Sequence, residues 1–147
     1  VKSFRSEILL TARLRHPNIV NFIGACWGRD LTCLVLEWVP KGSLEDLLFA
    51  DDADGSLSWN EPLLKLATDI ARGMAYLHTC KYYDQKQDKI VECVLHRDLK
   101  PDNVLVSEFL GGKITDFGTS RTKHLDSDVT MTAVGTPLYV APEIARG

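Results

Sequence analysis

The chain has 147 residues and a formal net charge of −3, with 45% hydrophobic and 25% charged residues. This length holds one domain at most, and the apolar content is sufficient for a packed core. The slightly acidic balance excludes a diffuse basic surface, so no nucleic-acid partner is expected. Since no apolar run approaches the ~20 residues of a membrane-spanning helix, the sequence predicts no membrane segment.

Four cysteines occur at irregular spacing, without a CxxC pair and without a preceding signal peptide: Cys26, Cys33, Cys80 and Cys93. Zinc sites need close ligand pairs, and a chain of this size does not need disulfides for stability. We therefore interpret the cysteines as reduced thiols that serve as small apolar core residues. Reduced thiols and the lack of targeting signals favour a cytoplasmic protein.

The first part of the chain predicts a helix followed by two strands. Apolar residues recur at helical intervals from Phe4 to Leu14, and Pro17 closes this helix. The segments from Ile19 to Trp27 and from Leu31 to Val39 are rich in β-branched and large apolar residues. Because a glycine-containing turn separates them, they predict an antiparallel pair.

Two helices of different length follow. Ser43, with Asp46 three residues later, forms a capping-box pattern that predicts a short helix. Ser58-Trp59-Asn60-Glu61 is a second capping-box pattern, which predicts a helix that begins at Trp59. From Leu63 to Leu77, apolar residues at steps of three and four place one stripe along this helix of about five turns. The polar run from Lys81 to Asp88 breaks this period and predicts a solvated loop before the apolar residues 90–95.

Two short strands, Val104–Val106 and Lys113–Thr115, are joined across Gly111-Gly112, which predicts a β-hairpin. Side chains suited to chemistry flank this hairpin, in residues 96–103 before it and at Asp116 after it. Their carboxylates can accept a proton or orient a hydroxyl, and a lysine can neutralise a phosphoryl group. Amide and carboxylate oxygens are also the ligands that Mg²⁺ prefers. Taken singly, each of these side chains would more often be solvated surface.

Three ordered motifs resemble those of the eukaryotic protein kinases. HRDLKPDN at residues 96–103, DFG at 116–118 and APE at 141–143 match the catalytic-loop, metal-binding and activation-segment signatures. The resemblance implies an α+β fold, the partial bilobal protein-kinase fold, with the αC helix and strands of the N-lobe, the hinge, and the helical C-lobe up to the activation segment. We expect residues 1–39 to be the remainder of the N-lobe with the hinge, and residues 40–147 to be the first half of the C-lobe.

The resemblance assigns catalytic and metal-binding roles to five residues. Asp98 would orient the substrate hydroxyl, and Lys100 would steady the charge of the transferred group. Asn103 and Asp116 would hold Mg²⁺, and Glu7 would be the αC glutamate that pairs with a strand lysine. ATP and Mg²⁺ are the implied cofactors.

The same resemblance assigns positions around the adenine ring. LVLEWVPKGSL resembles the hinge, so Leu36 would be the gatekeeper, with the Glu37 carbonyl and the Val39 amide facing adenine. Leu105 is assigned to the same cofactor site. Thr11 stands where the family usually places an apolar side chain, which is a departure from the pattern.

The substrate class follows from two features of the resemblance. Lys100, two residues after Asp98, and the segment GTPLYV before APE resemble serine/threonine kinases, and the chain most resembles the tyrosine-kinase-like group. The Thr136 hydroxyl can bridge Asp98 and Lys100 beside the substrate groove. The implied reaction is transfer of the γ-phosphoryl group of Mg-ATP to a Ser or Thr hydroxyl of a protein substrate.

Charge near the DFG motif predicts regulation by phosphorylation. Arg97 precedes the catalytic aspartate and Arg121 follows DFG, so a phosphate on the segment from Asp116 to Glu143 would meet two guanidinium groups. Thr132 is the favoured site and Thr130 the next, with an upstream activating kinase as the implied partner. The alternative is an ordinary flexible loop rich in hydroxyls.

The chain starts without the glycine-rich loop and the strand lysine of the family, and stops before its later helices. We therefore expect the central part of a kinase domain, which by itself folds poorly and is inactive. The alternative function is a catalytically inactive, pseudokinase-like interaction module or truncated relic. A different ATP-binding hydrolase is disfavoured because there is no P-loop motif. The run from Lys81 to Asp88 is interpreted as an inserted surface loop, with a docking element as the alternative.

Overall fold

The computed structural model describes residues 2–28, 32–50, 57–85, 88–124 and 135–146. The chain is a mixture of helices and strands, as predicted. In chain order the elements are α1 (Lys2–Thr11), β1 (Phe22–Trp27), β2 (Thr32–Leu36), α2 (Leu44–Phe49), α3 (Leu63–Thr79), β3 (Tyr82–Asp84), β4 (Lys89–Leu95), β5 (Val104–Val106), β6 (Gly112–Ile114), β7 (Arg121–His124) and α4 (Pro142–Arg146). Single turns of 3₁₀ helix occur at Pro101–Asn103 and Pro137–Tyr139.

The chain divides into two compact units. The first comprises Val1–Gly73 and Pro101–Gly118, and the second comprises Met74–Lys100 and Thr119–Gly147. These units are defined by packing within each of them. The division of the chain into residues 1–39 and 40–147, which concerns the lobes of the family fold, stays a prediction.

In the first unit, helix α1 ends earlier than the sequence predicts. The prediction extended it to Leu14, whereas the structure ends it at Thr11. The Arg13 N–H donates to the Leu10 carbonyl at 2.9 Å and the Leu14 N–H donates to the Thr11 carbonyl at 3.2 Å. These three-residue bonds tighten the chain and close the helix before Pro17 is reached.

Strands β1 and β2 form the predicted antiparallel pair. Ala25 lies opposite Leu34, and Cys26 lies opposite Cys33. The register shifts between Phe22 and Gly24, so the regular ladder runs from Gly24 opposite Val35 to Trp27 opposite Thr32.

Helix α2 begins with the predicted capping box. The Asp46 N–H donates to the Ser43 Oγ at 3.0 Å, and the Ser43 N–H donates to the Asp46 Oδ2 at 2.9 Å. Just before this helix, the Lys41 N–H donates to the Val106 carbonyl and the Val106 N–H donates to the Gly42 carbonyl. These bonds attach the segment after β2 to strand β5.

Strands β5 and β6 form the predicted hairpin, with Val104 opposite Ile114 and Val106 opposite Gly112. The side chains of Val106 and Ile114 have no exposed surface. The Val20 N–H donates to the Ile114 carbonyl at 2.9 Å, which joins the hairpin to the segment between α1 and β1.

Helix α3 begins at Leu63 rather than at the predicted Trp59, because residues 58–62 form a turn. Within that turn, the Ser58 Oγ accepts the Glu61 N–H at 3.2 Å. The predicted apolar stripe is confirmed at Leu66 and Leu77, which are 1% and 0% exposed. Gly73 lies on the buried face of the helix.

The second unit contains a three-stranded antiparallel sheet in the order β3-β4-β7. The prediction of a loop at Lys81–Asp88 is wrong where Tyr82–Asp84 forms a strand that pairs with β4, Tyr82 opposite Val91. The predicted solvent exposure is confirmed, since Lys81, Tyr83, Gln85 and Asp88 are exposed. The aromatic residues of this run favour a strand, and the polar composition belongs to the exposed edge of the sheet. An ion pair of 3.2 Å between Lys81 and Glu92 extends this pairing.

The interpretation of the cysteines as core residues is wrong. Cys26 is exposed, and the other three cysteines are partly exposed. All four are free thiols. Of the helices within the described ranges, none combines the length and the apolar character that a membrane crossing needs.

Candidate functional site

In the first unit, a cavity of about 250 Å³ lies between α1, β2 and the start of the DFG motif. It brings three of the predicted site residues together, namely Glu7, Leu36 and Asp116. The other lining residues are Thr11, Val20, Leu34, Thr115 and Phe117. The sequence did not predict Val20 and Leu34, although their positions in apolar strand segments are consistent with the lining of a ligand pocket.

Two carboxylates meet at this cavity. Burial, and then the charge of Asp116, raise the pKa of Glu7 above its ordinary value. Neither Glu7 nor Asp116 takes part in an ion pair with the residues that the structure describes. The Gly118 N–H donates to the Asp116 Oδ1 at 3.2 Å and is a local partner for that carboxylate. The arrangement favours a cation, since a nearby positive charge would relieve the repulsion.

Thr11 is accommodated at the same cavity by a local hydrogen bond. It is 2% exposed, and its hydroxyl donates to the Glu7 carbonyl at 2.8 Å. This bond to the preceding turn of the helix satisfies the buried hydroxyl. Thr11 lines the cavity together with Phe117, which is 3% exposed.

The segment expected to face adenine is fixed by its side chains. The Glu37 Oε1 accepts the Asn21 N–H at 2.7 Å and the Lys113 Nζ at 2.9 Å. The Glu37 carboxylate is therefore occupied by the fold, and the Glu37 N–H donates to the Asn21 carbonyl at 2.9 Å. Leu36 lines the cavity, whereas Glu37, Val39 and Leu105 lie outside its lining.

The predicted metal ligands both belong to the first unit. Asn103 is 6% exposed, and its carbonyl accepts the Thr115 N–H at 3.0 Å, next to Asp116. Mg²⁺ keeps several waters and takes one or two carboxylates together with substrate phosphates. An amide and a carboxylate on adjoining segments fit that requirement. The described residues contain no group of three or more His, Cys, Asp or Glu side chains that could hold a metal.

In the second unit, Asp98 is held by Thr136 and lies near Lys100. The Asp98 Oδ1 accepts the Thr136 N–H at 2.7 Å and the Thr136 hydroxyl at 2.8 Å. The Lys100 Nζ lies 4.0 Å from the Asp98 Oδ2. The structure thus brings these three predicted residues together, with the threonine on one carboxylate oxygen and the lysine near the other.

A cavity of about 230 Å³ opens beside this cluster. Asp98 and Thr136 line it, and the remaining lining residues are Met74, His96, Arg97, Leu99, Tyr139, Val140, Ala141 and Ile144. The carboxylate of Asp98 is 12% exposed and the Lys100 side chain is 20% exposed. Both charges are therefore partly desolvated, which strengthens their electrostatic effect.

The loop that carries Asp98 is shaped by the residues before it. His96 is 1% exposed, and its Nδ1 accepts the Asp98 N–H at 3.3 Å. The Arg97 Nε donates to the Thr119 carbonyl at 2.6 Å, and the Thr119 hydroxyl donates to the His96 carbonyl at 3.2 Å. Asp98 is consequently fixed from both the loop and the segment after DFG.

Gly135 has a structural role that the sequence did not predict. Its φ is +126°, and a Cβ at this position would lie 2.7 Å from the Arg97 carbonyl oxygen. Glycine alone fits this close approach, which allows the next residue to reach Asp98. A glycine directly before the predicted Thr136 was the available signal.

The two predicted regulatory arginines lie close together in the second unit. Arg121 lies opposite Leu95 in the pairing of β4 with β7. Burial, and then the charge of Arg121, lower the pKa of Arg97. The predicted phosphorylation sites Thr130 and Thr132 lie outside the described residues.

Comparison with known proteins is consistent with these motifs. The family model described as the protein kinase domain matches residues 1–147. The chain is 45% identical over 143 residues to the probable serine/threonine-protein kinase drkC of Dictyostelium discoideum, with 95% of this chain and 17% of that protein covered. It is 40% identical over 144 residues to the putative serine/threonine-protein kinase/receptor R831 of Acanthamoeba polyphaga mimivirus, with 98% of this chain and 8% of that protein covered.

A plant relative extends the range of matched proteins. The chain is 35% identical over 147 residues to the L-type lectin-domain containing receptor kinase V.9 of Arabidopsis thaliana, with 99% of this chain and 20% of that protein covered. The chain therefore spans a fifth or less of the length of these three relatives.

Proposed function

Because the chain belongs to the protein kinase domain family, we propose that it is part of a serine/threonine kinase that transfers the γ-phosphoryl group of ATP to a protein hydroxyl. The observation that carries this proposal is the contact of Asp98 with both the N–H and the hydroxyl of Thr136, with Lys100 near the other oxygen. Serine/threonine kinases among the matched relatives support the substrate class.

The three side chains have different tasks in this mechanism. Thr136 holds the Oδ1 of Asp98, so that the Oδ2 is oriented toward an incoming hydroxyl and accepts its proton. Lys100, near that same oxygen, neutralises negative charge that develops on the transferred group. Removal of water from the partly buried carboxylate makes these interactions stronger than at an open surface.

The proposed nucleotide site belongs to the first unit. ATP with Mg²⁺ supplies the phosphoryl group and the neutralisation of its charge when bound. Asn103 and Asp116 are the proposed metal ligands, and Glu7 is the proposed partner of a lysine. Leu36, the Glu37 carbonyl, the Val39 N–H and Leu105 are proposed to contact adenine. The raised pKa of Glu7 supports a cationic partner at this position.

Phosphotransfer by the full-length native protein tests the proposed function. The protein is incubated with Mg-ATP and a generic basic protein, and the phosphorylated amino acid is identified after hydrolysis. We expect phosphoserine or phosphothreonine. Asp98→Asn removes the proton acceptor and is expected to reduce the rate by at least about 100-fold.

The control variant is Asp102→Asn, because Asp102 is an exposed carboxylate of the same loop that lies outside the proposed catalytic group. We expect it to retain the rate of the native protein. Nucleotide binding without any phosphotransfer would contradict the proposal and favour an inactive interaction module. Transfer to tyrosine alone would contradict the proposed substrate class.

Regulation is proposed at the paired guanidinium groups. A phosphate on Thr132, or on Thr130, added by an upstream kinase, would bind Arg97 and Arg121, whose charges lie close together. Phosphopeptide mapping of the active protein is expected to find one of these threonines modified. Replacement of Arg121 by Gln is expected to abolish the activation that this phosphate produces, without removing the phosphate.

We also propose that the kinase domain works in the cytoplasm. Its substrates would be cytoplasmic proteins that present a Ser or Thr hydroxyl. Cell fractionation, followed by detection with an antibody against residues 81–88, tests the location. Recovery of the kinase domain on the side of a membrane that does not face the cytoplasm would contradict it.

A further inference from the structure

Strands β1 and β2 place two cysteines directly opposite each other. Cys26 and Cys33 are paired residues in the antiparallel ladder. Opposed residues in such a ladder project from the same face, with Cα atoms about 4.5 or 5.5 Å apart according to the hydrogen-bonding position. A disulfide accommodates Cα separations of roughly 4.4–6.8 Å. The backbone of this hairpin therefore suits a bond between the two sulfur atoms.

The solvent exposure of the two thiols favours reaction with small molecules rather than a role in core packing. Cys26 is exposed and Cys33 is partly exposed, and both are free. Neither residue contributes to the buried apolar core. An oxidant in solution can therefore reach Cys26, and Cys33 lies within reach of the product.

We propose that Cys26 and Cys33 form a peroxide-sensitive dithiol pair that oxidises to a disulfide between β1 and β2. In the first step the Cys26 thiolate attacks hydrogen peroxide, the O–O bond breaks, and a sulfenic acid and hydroxide form. In the second step the Cys33 thiolate attacks the sulfenic sulfur, the S–S bond forms, and hydroxide leaves. Together, two thiols lose two electrons and two protons, and one peroxide is reduced to two molecules of water.

A second pair of cysteines provides an internal comparison. Cys80, which follows helix α3, and Cys93, in strand β4, lie near enough for their charges to interact. An ion pair joins their neighbours Lys81 and Glu92. Burial, and then the proximity of Cys93, raise the pKa of Cys80. Since the thiolate is the reactive form, the raised pKa lowers the reactive fraction of Cys80, which makes this second pair a suitable internal comparison.

The inference is independent of the proposed kinase activity, because it depends only on the pairing and exposure of the thiols. Peptide mapping under non-reducing conditions tests it directly on the full-length native protein. Trypsin cuts after Arg15, Arg29 and Lys41, so the two cysteines fall in separate peptides, residues 16–29 and 30–41. Cys80 and Cys93 fall in residues 73–81 and 90–97.

The native protein is treated with increasing hydrogen peroxide, its remaining thiols are blocked with N-ethylmaleimide, and the digest is examined by mass spectrometry. We expect a linked species of residues 16–29 and 30–41, two hydrogens lighter than the sum of its parts and separated by dithiothreitol. It should appear at a lower peroxide concentration than any link between residues 73–81 and 90–97.

Three single variants distinguish the possible outcomes. Cys33→Ser and Cys26→Ser should each abolish the link, and in Cys33→Ser dimedone should trap a sulfenic acid at Cys26. Cys80→Ser should leave the link unchanged. The proposal is overturned if both thiols of the native protein remain open to N-ethylmaleimide after peroxide treatment. It is equally overturned if they oxidise separately to sulfinic acids, or if Cys26 links to a second molecule instead.

Discussion

At the scale of single residues, His16 and Asn18 show how polar side chains organise the first unit. The His16 Nδ1 accepts the Asn18 N–H at 3.1 Å. Asn18 is 8% exposed, and its Nδ2 donates to the Gly112 carbonyl at 3.0 Å. Its own carbonyl accepts the Ile114 N–H at 2.9 Å. The neutral imidazole therefore supports the residue that attaches strand β6.

Acidification should weaken this arrangement. Burial, and then the charge of Lys113, lower the pKa of His16 below its ordinary value of 6.5. His16 in the unfolded chain thus binds a proton at a higher pH than His16 in the folded chain. The stability that neutral His16 contributes is therefore fully present above pH 6.5, and it is lost as the pH falls below that value through the lower pKa of the folded state.

Urea unfolding of the native full-length protein and of His16→Gln between pH 8 and pH 5 measures the effect. We expect the native protein to lose more stability on acidification than the variant, which lacks the titrating group. Equal losses in the two proteins would show that His16 does not contribute.

The contact of Thr136 with Asp98 leads to a prediction about activity. Thr136→Ala removes the hydroxyl bond and keeps the N–H bond, so we expect a fall in kcat of about 10-fold, from the loss of about 1.5 kcal/mol for a hydrogen bond to a charged group. Thr136→Ser keeps the hydroxyl and should remain within about 2-fold of the native rate. Equal rates for the two variants would exclude a role of the hydroxyl.

At the scale of elements, helix α3 depends on close approach at Gly73. A Cβ there would lie 2.8 Å from the Ile114 Cδ1 and 2.9 Å from the Asn18 carbonyl oxygen. Because one of these atoms belongs to the backbone, the neighbours cannot yield easily. The helix accepts the poor intrinsic propensity of glycine in exchange for tight packing.

Gly73→Ala is therefore expected to destabilise the native protein, by about 1–3 kcal/mol from overpacking, although alanine is the better helix former. Chemical denaturation of the full-length protein gives the change in unfolding free energy. Ala71→Gly, at an exposed position of the same helix, should cost only about 1 kcal/mol. A stabilised Gly73→Ala variant would contradict the packing argument.

Elements with local signals were predicted well from the sequence. The capping box at Ser43 and the paired glycines at residues 111–112 act within a few residues, so their outcome follows from short patterns. The strand Tyr82–Asp84 was not predicted, because it is short and lies at the exposed edge of its sheet, where apolar and polar residues do not alternate clearly. The early end of α1 was missed because the apolar period continues to Leu14 in a tightened turn.

The same distinction applies to the candidate site. The motifs predicted a contact between Thr136 and Asp98, and the hydrogen bond between them across 38 positions agrees with that prediction. The need for Gly135 could not be predicted, because it arises from a carbonyl oxygen that only the folded loop places there. The exposure of the cysteines likewise depends on which faces of the sheets are covered.

At the scale of the whole molecule, the described residues leave several large apolar side chains in contact with solvent. Trp38, Phe49, Phe109 and Leu138 are each at least 80% exposed. Scattered exposed apolar residues are normal, but four of this size and exposure in a short chain favour association.

We therefore expect residues 1–147, expressed by themselves, to self-associate and to bind a hydrophobic dye more strongly than the full-length native protein. Light scattering and dye fluorescence at matched molar concentrations measure this. Replacing Phe49, Phe109 and Leu138 together by Gln should reduce both signals. A monomeric, dye-free polypeptide of residues 1–147 would contradict the expectation.

Two of the predicted site residues, one in each unit, hold left-handed backbone: Arg97 with φ of 68° and Asp116 with φ of 61°. A side chain in this conformation costs about 1–2 kcal/mol, and glycine would avoid that cost. Selection for heat resistance alone would therefore favour glycine at both positions. The proposed metal ligand Asp116 and the proposed phosphate-binding Arg97 thus each carry a backbone cost that the proposed roles would have to repay.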